Sequence, residues 1–183
     1  MQKNNKQPLA LFGSVKILVF AALLCAVSGV MKFIAPSGDT WRISLENFPI
    51  IFGGITMGSI IGGVVGIVAD LLGCLFRGYA INPLITLASM SVGLISGLCF
   101  RLLKRYRNFA MILSVFFAHI IGNVIIKTFV LHSMFSTPIA VLFAERIVTY
   151  CVTAAVECVI IIVLLNNKAI KKGLGRVIGY DEL

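Results

Sequence analysis

Residues 43–76 read ISLENFPIIFGGITMGSIIGGVVGIVADLLGCLF, and this stretch decides how the chain can cross a membrane. One continuous α-helix over these 34 residues would be about 50 Å long at ~1.5 Å per residue, whereas the hydrocarbon core of a bilayer is about 30 Å thick. A single straight span therefore does not fit. The pair Gly58-Ser59 near the middle predicts two short helices joined by a very tight turn.

The rest of the chain has the composition of a membrane protein. Of its 183 residues, 59% are hydrophobic and only 13% are charged, whereas ordinary soluble domains are roughly 45–50% apolar. The apolar residues form blocks about 20 long, the length of one span. We therefore predict an all-α membrane protein in which residues 1–183 form a single domain. Its six transmembrane helices are predicted near residues 14–34, 44–58, 59–76, 82–103, 109–132 and 139–166.

The distribution of basic residues predicts the orientation of the chain. Its net charge of +9 comes from short clusters between apolar blocks rather than from one basic face, which argues against nucleic acid as a partner. With six spans and a cytoplasmic N-terminus, eleven Lys and Arg residues fall inside and three, Lys32, Arg42 and Arg77, fall outside. Five spans would leave four inside and ten outside. The positive-inside rule therefore favours six spans with both termini in the cytoplasm.

Charged and polar side chains inside the predicted spans indicate a binding site. A charge in the bilayer costs roughly 2.5–3.5 kcal/mol on insertion scales, so it must pair, reach the interface or line a wet cavity. His119, Asn123 and Lys127 share one helix face at a spacing of four, and Arg146, Tyr150, Thr153 and Glu157 form a second stripe. The outer half also gathers several other charged residues. From these features, the candidate ligand contacts are Arg42, Glu46, Asp70, Arg77, Asn123, Lys127, Glu145, Arg146 and Tyr150.

These side chains predict an outward-opening pocket for an anionic, hydrogen-bonding small molecule. Internal salt bridges, such as Asp70 or Glu145 with Lys127 or Arg146, are the alternative, and the two interpretations can coexist. Lys127 and Arg42 can also extend toward the outer headgroups.

Small residues at helical spacing indicate close helix packing. Gly54, Gly58, Gly62 and Gly66 are spaced by four, and Gly93 and Gly97 repeat the pattern. Packing within the chain and a dimer face are the two interpretations. The first helix carries Ala22, Cys25, Ala26 and Gly29, which predict either ordinary packing or a flat docking surface for another membrane subunit.

The sequence lacks the motifs of common enzymes. It has no G-x-x-x-x-G-K-[ST], no H-E-x-x-H, no G-x-S-x-G and no metal-ligand cluster, and its five cysteines lie in apolar stretches. We therefore predict no catalytic residues, no metal and no cofactor. Energy for active transport would have to come from an ion gradient or from partner proteins.

Four segments resemble one family of transport proteins: WRISLENFP at 41–49, GSIIGG at 58–63, VADLLG at 68–73 and GYAINP at 78–83. They are similar to the S components of energy-coupling factor (ECF) vitamin transporters, and within these to the folate-type branch. The resemblance covers nearly the whole chain, including Ala22 and Ala26, and adds Asn82 to the candidate ligand contacts. Ser59 departs from the family, which often has proline after this glycine.

The resemblance implies a multi-pass protein of a bacterial plasma membrane that binds a vitamin, with folate suspected. It also implies docking through the first helix onto a transmembrane coupling subunit, powered by two cytoplasmic ATPases. Other vitamins, namely thiamine, riboflavin and pantothenate, remain open. A stand-alone secondary transporter and a membrane enzyme are the rival hypotheses.

Overall fold

A computed structural model describes residues 14–36, 44–135 and 138–178. The regular secondary structure of these residues is helical, without strands, which confirms the all-α prediction within that part of the chain. In chain order the helices are α1 (Val15–Ile34), α2 (Asn47–Met57), α3 (Ser59–Arg77), α4 (Pro83–Leu102), α5, α6 (Ile139–Asn166) and α7 (Lys168–Ile178). α5 consists of three consecutive stretches, Arg107–Ala118, His119–Ile126 and Lys127–Phe135.

Five helices of the described chain are long and apolar enough to cross a membrane: α1, α3, α4, α5 and α6. The second predicted span corresponds to α2, which has 11 residues and a length of roughly 16 Å. It is too short to cross a hydrocarbon core of about 30 Å by itself. Six full spans and cytoplasmic termini therefore stay predictions.

The break between α2 and α3 lies at Gly58. This residue has φ 97° and ψ 165°, and α3 begins at the next residue, Ser59. Glycine adopts a positive φ without the steric conflict that a Cβ creates. The chain can therefore reverse here without any loop, so that α2 and α3 pack side by side.

The spaced glycines lie where α2, α3 and α4 approach each other. A Cβ added to Gly93 would lie 2.0 Å from the carbonyl oxygen of Gly62, and one added to Gly62 would lie 2.5 Å from Cα of Gly54. Both distances are far below van der Waals contact. The glycines therefore serve packing within the chain, as the first of the two interpretations predicts.

A π-helical stretch, His119–Ile126, interrupts α5. Such stretches are rare in proteins, and those that occur are often at functional sites. A Cβ on Gly122 would lie 2.5 Å from Cγ2 of Val92, so this part of α5 is held tightly against α4. The extra residue per turn changes which side chains of α5 face the bundle.

The sequence did not predict α7. Its Leu174 and Ile178 are buried against the same core cluster as Ile17 at the start of α1. Its basic residues, Lys168, Lys171, Lys172 and Arg176, are exposed or half-buried. At this end of the bundle the Arg107 guanidinium also donates to the carbonyl of Leu165, near the end of α6. The basic residues of the α4–α5 connection and those of α7 therefore lie at the same end of the bundle.

Candidate functional site

A buried polar cluster lies toward the end of the bundle opposite to α7, and an ion pair forms one side of it. Lys32 Nζ donates to Asp70 Oδ1 at 2.6 Å, which joins α1 to α3. The other oxygen of Asp70, Oδ2, accepts from Thr86 Oγ1 of α4 at 2.8 Å. Both oxygens of Asp70 therefore have partners within the protein.

A second cation and carboxylate face each other more loosely. Lys127 Nζ lies 3.8 Å from Glu46 Oε1, and both side chains are buried. Glu46 directly precedes α2, and its carbonyl accepts from Ser28 Oγ at 2.6 Å. The distance between Lys127 and Glu46 is a charge contact without a normal hydrogen bond, so Lys127 retains donor capacity.

A histidine and a glutamate meet in the middle of the cluster. His119 Nε2 lies 2.7 Å from Glu157 Oε2, and Asn123 Nδ2 lies 3.1 Å from His119 Nδ1. Because the Asn123 amide donates to Nδ1, the imidazole proton is on Nε2 and is donated to Glu157. His119 thus links the π-helical part of α5 to α6.

Arg146 of α6 completes the cluster. Its Nη1 donates to the carbonyl of Asn123 at 3.1 Å, and its guanidinium carbon lies 6.0 Å from the ring centroid of Tyr150. The Tyr150 ring lies 5.4 Å from the ring of His119. One arginine and one aromatic ring therefore stand beside the histidine and glutamate.

Several buried polar atoms of the described residues have no hydrogen-bond partner in the protein. They are Asn47 Oδ1, Asn123 Oδ1, Thr128 Oγ1, Glu145 Oε2, Arg146 Nε and Glu157 Oε1. A buried group left without a partner costs roughly 1–3 kcal/mol, and native proteins retain few of them. Asn123, Arg146 and Glu157 belong to the connected cluster, so part of its hydrogen-bonding capacity is unused by the described residues.

The predicted internal salt bridges form with different partners from those named in the sequence analysis. Asp70 pairs with Lys32, and Lys127 faces Glu46. Glu145 is half-buried on α6, directly before Arg146, and its Oε2 is one of the atoms without a partner among the described residues.

Two of the predicted ligand contacts hold helix ends in this structure. Arg77 Nη2 donates to the carbonyl of Phe33 at 2.9 Å and also to that of Ala35, at the C-terminus of α1. Asn82 is the N-cap of α4, and its Oδ1 accepts from the amide of Leu84 at 2.9 Å. Free carbonyls and amides at helix ends need such partners. Arg42 lies outside the described residues.

The predicted docking set on α1 divides between two faces. Ala22 and Ala26 are exposed, whereas Cys25 and Gly29 are buried against α3. Cys25 Sγ donates to the carbonyl of Val65, and a Cβ on Gly29 would lie 3.1 Å from the Phe76 ring. Cys25 and Gly29 are four residues apart, as are Ala22 and Ala26, but the two pairs are offset around the helix. Cys25 and Gly29 therefore take part in packing within the chain, and the docking surface stays a prediction that now depends on Ala22 and Ala26.

Lys32 and Thr86 were not predicted as residues of the site, and His119 and Glu157 were not among the predicted ligand contacts. Lys32 was counted as an outer basic residue, although its spacing of four from Ser28 indicates a shared polar face. Among the described residues, no group of three or more His, Cys, Asp or Glu side chains is placed to hold a metal ion.

Comparisons with known proteins agree on one family and one fold. The family described as "ECF transporter, substrate-specific component" matches residues 16–167. The structure of FolT bound with folic acid aligns with a TM-score of 0.71 and 22% identity, covering 82% of this chain and 93% of that one. The S component of a bacterial ECF transporter aligns with a TM-score of 0.66 and 21% identity, covering 84% and 95%.

A third solved structure, ThiT from Listeria monocytogenes, aligns with a TM-score of 0.63 and 23% identity, covering 84% of this chain and 94% of that one. At these identities the likeness shows a shared fold. A search of curated protein sequences found no significant match.

Proposed function

The chain belongs to the family of ECF transporter substrate-specific components, and from this premise we propose that it captures a folate-type vitamin from outside the cell. Members of this family are integral membrane proteins that bind a vitamin and associate with coupling and ATPase subunits, and they are not enzymes. The resemblance found in the sequence is confirmed at the level of the family. The choice of folate, the ATP-driven step and the partner surface are the proposal.

One observation carries the choice of an anionic ligand: two cations of the polar cluster, the buried Lys127 and the half-buried Arg146, retain donor capacity. Lys127 Nζ stands 3.8 Å from its carboxylate partner, and Arg146 Nε has no partner among the described residues. A ligand carboxylate would supply the short, charge-assisted hydrogen bonds that these groups lack. Folate ends in a glutamate with two carboxylates, so Lys127 and Arg146 are the proposed contacts for that end.

The other cations considered for the site have different roles in the proposal. Arg77 donates to carbonyls at the end of α1, so we assign it to the frame of the site, by which we mean the contacts that hold the surrounding helices together. Lys32 belongs to the frame as well, because its Nζ forms an ion pair with Asp70 Oδ1 at 2.6 Å. Arg42 stays a candidate contact in the segment between α1 and α2.

The position of the cluster supports capture from outside. It lies toward the end of the bundle opposite to the basic residues of α7 and of the α4–α5 connection. Positive residues are enriched on the cytoplasmic side of membrane proteins. The polar cluster would then open toward the exterior.

The proposed partners are a transmembrane coupling subunit and two cytoplasmic ATPases. Ala22 and Ala26 are exposed on α1, and such small residues allow close approach of another helix in lipid. The family mechanism, in which the S component tips over in the membrane to release its ligand inward, would supply the transport step.

The test is ligand binding to the purified full-length chain. Calorimetry with folic acid, thiamine, riboflavin and pantothenate is expected to give tight binding for folic acid alone. Mass spectrometry of any small molecule that co-purifies provides an independent identification. Tight binding of another vitamin without folic acid would change the substrate and keep the family assignment.

Uptake assays separate this proposal from the secondary-transporter hypothesis. Vesicles that contain the chain without coupling and ATPase subunits are expected to accumulate no folic acid. Accumulation driven by a proton gradient alone would favour the rival.

A further inference from the structure

Two fully buried acceptor oxygens lie on either side of the His119 ring and have no partner among the described residues. They are Glu157 Oε1 and Asn123 Oδ1, and both side chains have 0% relative exposure. Each side chain uses its other polar atom to contact His119, Glu157 through Oε2 and Asn123 through Nδ2. The imidazole therefore orients two side chains whose remaining acceptors are unused.

The environment of Glu157 makes this open oxygen unusual. The carboxylate lies near the backbone of Phe48 at the start of α2, but Oε1 makes no hydrogen bond of normal geometry within the described chain. Proteins leave few buried acceptors unpaired, and those that remain require an explanation such as a bound ligand. A donor on a bound ligand would satisfy this oxygen.

Asp70 offers a direct comparison within the same bundle. Its Oδ1 accepts from Lys32 and its Oδ2 accepts from Thr86, so both oxygens already have partners. The hydrogen bonds of Asp70 leave it without the open oxygen that Glu157 has.

We propose that Glu157 and Asn123 recognise the ligand through its N–H donors, and that His119 is the positioning residue that holds both acceptors. The ligand class is a planar nitrogen heterocycle that carries an amino group beside a ring N–H, as the pterin of folate does. A carboxylate and an amide oxygen match such donors, and a charged acceptor strengthens the hydrogen bond. This inference rests on the proposed function and adds the residues that select the heterocycle.

The two ends of the ligand would then meet different chemistry. Lys127 and Arg146 offer donors to carboxylates, whereas Glu157 and Asn123 offer acceptors to the heterocycle. The Tyr150 ring, 5.4 Å from His119, lies between Arg146 and the histidine and provides an apolar surface for a planar group. A site that offers both donors and acceptors selects the functional groups of its ligand as well as its charge.

The test compares folic acid with its 2-desamino-2-methyl analogue, which lacks the amino donor. The wild-type protein is expected to bind folic acid at least about tenfold more tightly, because one charge-assisted hydrogen bond is lost with the analogue. In Glu157→Gln the ratio of the two affinities is expected to fall to within about threefold, because the charged acceptor is gone. Asn123→Ala provides a second variant if Glu157→Gln does not fold.

Asp70→Asn is the matched control, since it makes the same carboxylate-to-amide change. It is expected to lower the melting temperature and to leave the affinity ratio as in the wild type. A wild-type ratio near one overturns the inference without any variant. A ratio retained in a folded Glu157→Gln, or lost in Asp70→Asn instead, also overturns it while folate capture stands. If the wild type does not bind folic acid, the proposed function and this inference both fail.

Discussion

Lys32 Nζ lies 2.6 Å from Asp70 Oδ1, and both side chains are buried between α1 and α3. Gly73 of α3 leaves room for the Lys32 side chain, because a Cβ on Gly73 would lie 2.2 Å from Cδ of Lys32. Thr86 of α4 holds the second oxygen of Asp70 at 2.8 Å. Three helices are thus joined through one carboxylate, and we interpret the pair as part of the frame of the site.

The first prediction concerns this pair. Lys32→Met leaves the charge of Asp70 buried with only Thr86 as a hydrogen-bond donor, and removing one partner of a buried ion pair costs about 3–5 kcal/mol. We expect a clearly lower melting temperature for the purified protein in detergent. The double variant Lys32→Met/Asp70→Asn is expected to recover part of the loss. A single variant that melts like the wild type would contradict the assignment.

The second prediction separates Lys127 from Lys32. Lys127→Met is expected to weaken folic acid binding by about 10–100-fold, since a hydrogen bond to a charged group contributes about 1.5–3 kcal/mol. Binding of pteroic acid, which lacks the glutamate, is expected to change little. Calorimetry on both ligands measures the difference.

The control for Lys127 is Lys16→Met, which removes an exposed lysine at the opposite end of the bundle. It is expected to leave both affinities unchanged. An equal loss for folic acid and pteroic acid in Lys127→Met would mean that Lys127 does not contact the glutamate.

The third prediction addresses the packing of α3 against α4. Gly93→Ala places a methyl group 2.0 Å from the Gly62 carbonyl oxygen, so the two helices must separate. Overpacking of this kind typically costs about 1–3 kcal/mol. Thermal melting is expected to show a clear loss of stability. Gly173→Ala, in α7, meets no atom within 4 Å and should be neutral or slightly stabilising.

The fourth prediction concerns the exposed face of α1. Ala26→Leu is expected to reduce co-purification with the coupling subunit, because a larger side chain prevents close approach of another helix. Folic acid binding by the isolated chain is expected to persist. Val159→Leu, an exposed apolar change on α6, should leave co-purification intact. Undiminished assembly of Ala26→Leu would place the docking surface elsewhere.

Parts of the fold follow from local sequence. The excess of apolar residues predicts membrane helices because each block must satisfy its own backbone hydrogen bonds in lipid. The break at Gly58 is also local, since only glycine readily adopts a φ of 97°. The π-helical stretch of α5 was not predicted, because the 3.6-residue periodicity used for helices contains no signal for it. α7 was missed because it is short and basic.

Composition and motifs are enough to identify a helical membrane protein of this family with charged groups in its spans. Which of these charges meet depends on how the helices pack. Lys32 and Asp70 are 38 residues apart, as are His119 and Glu157, and no local pattern specifies a contact across that separation. Hydrogen bonds depend on distances of about 3 Å, which the packing of distant helices determines. The same packing leaves Glu157 with an open oxygen and Asp70 with none.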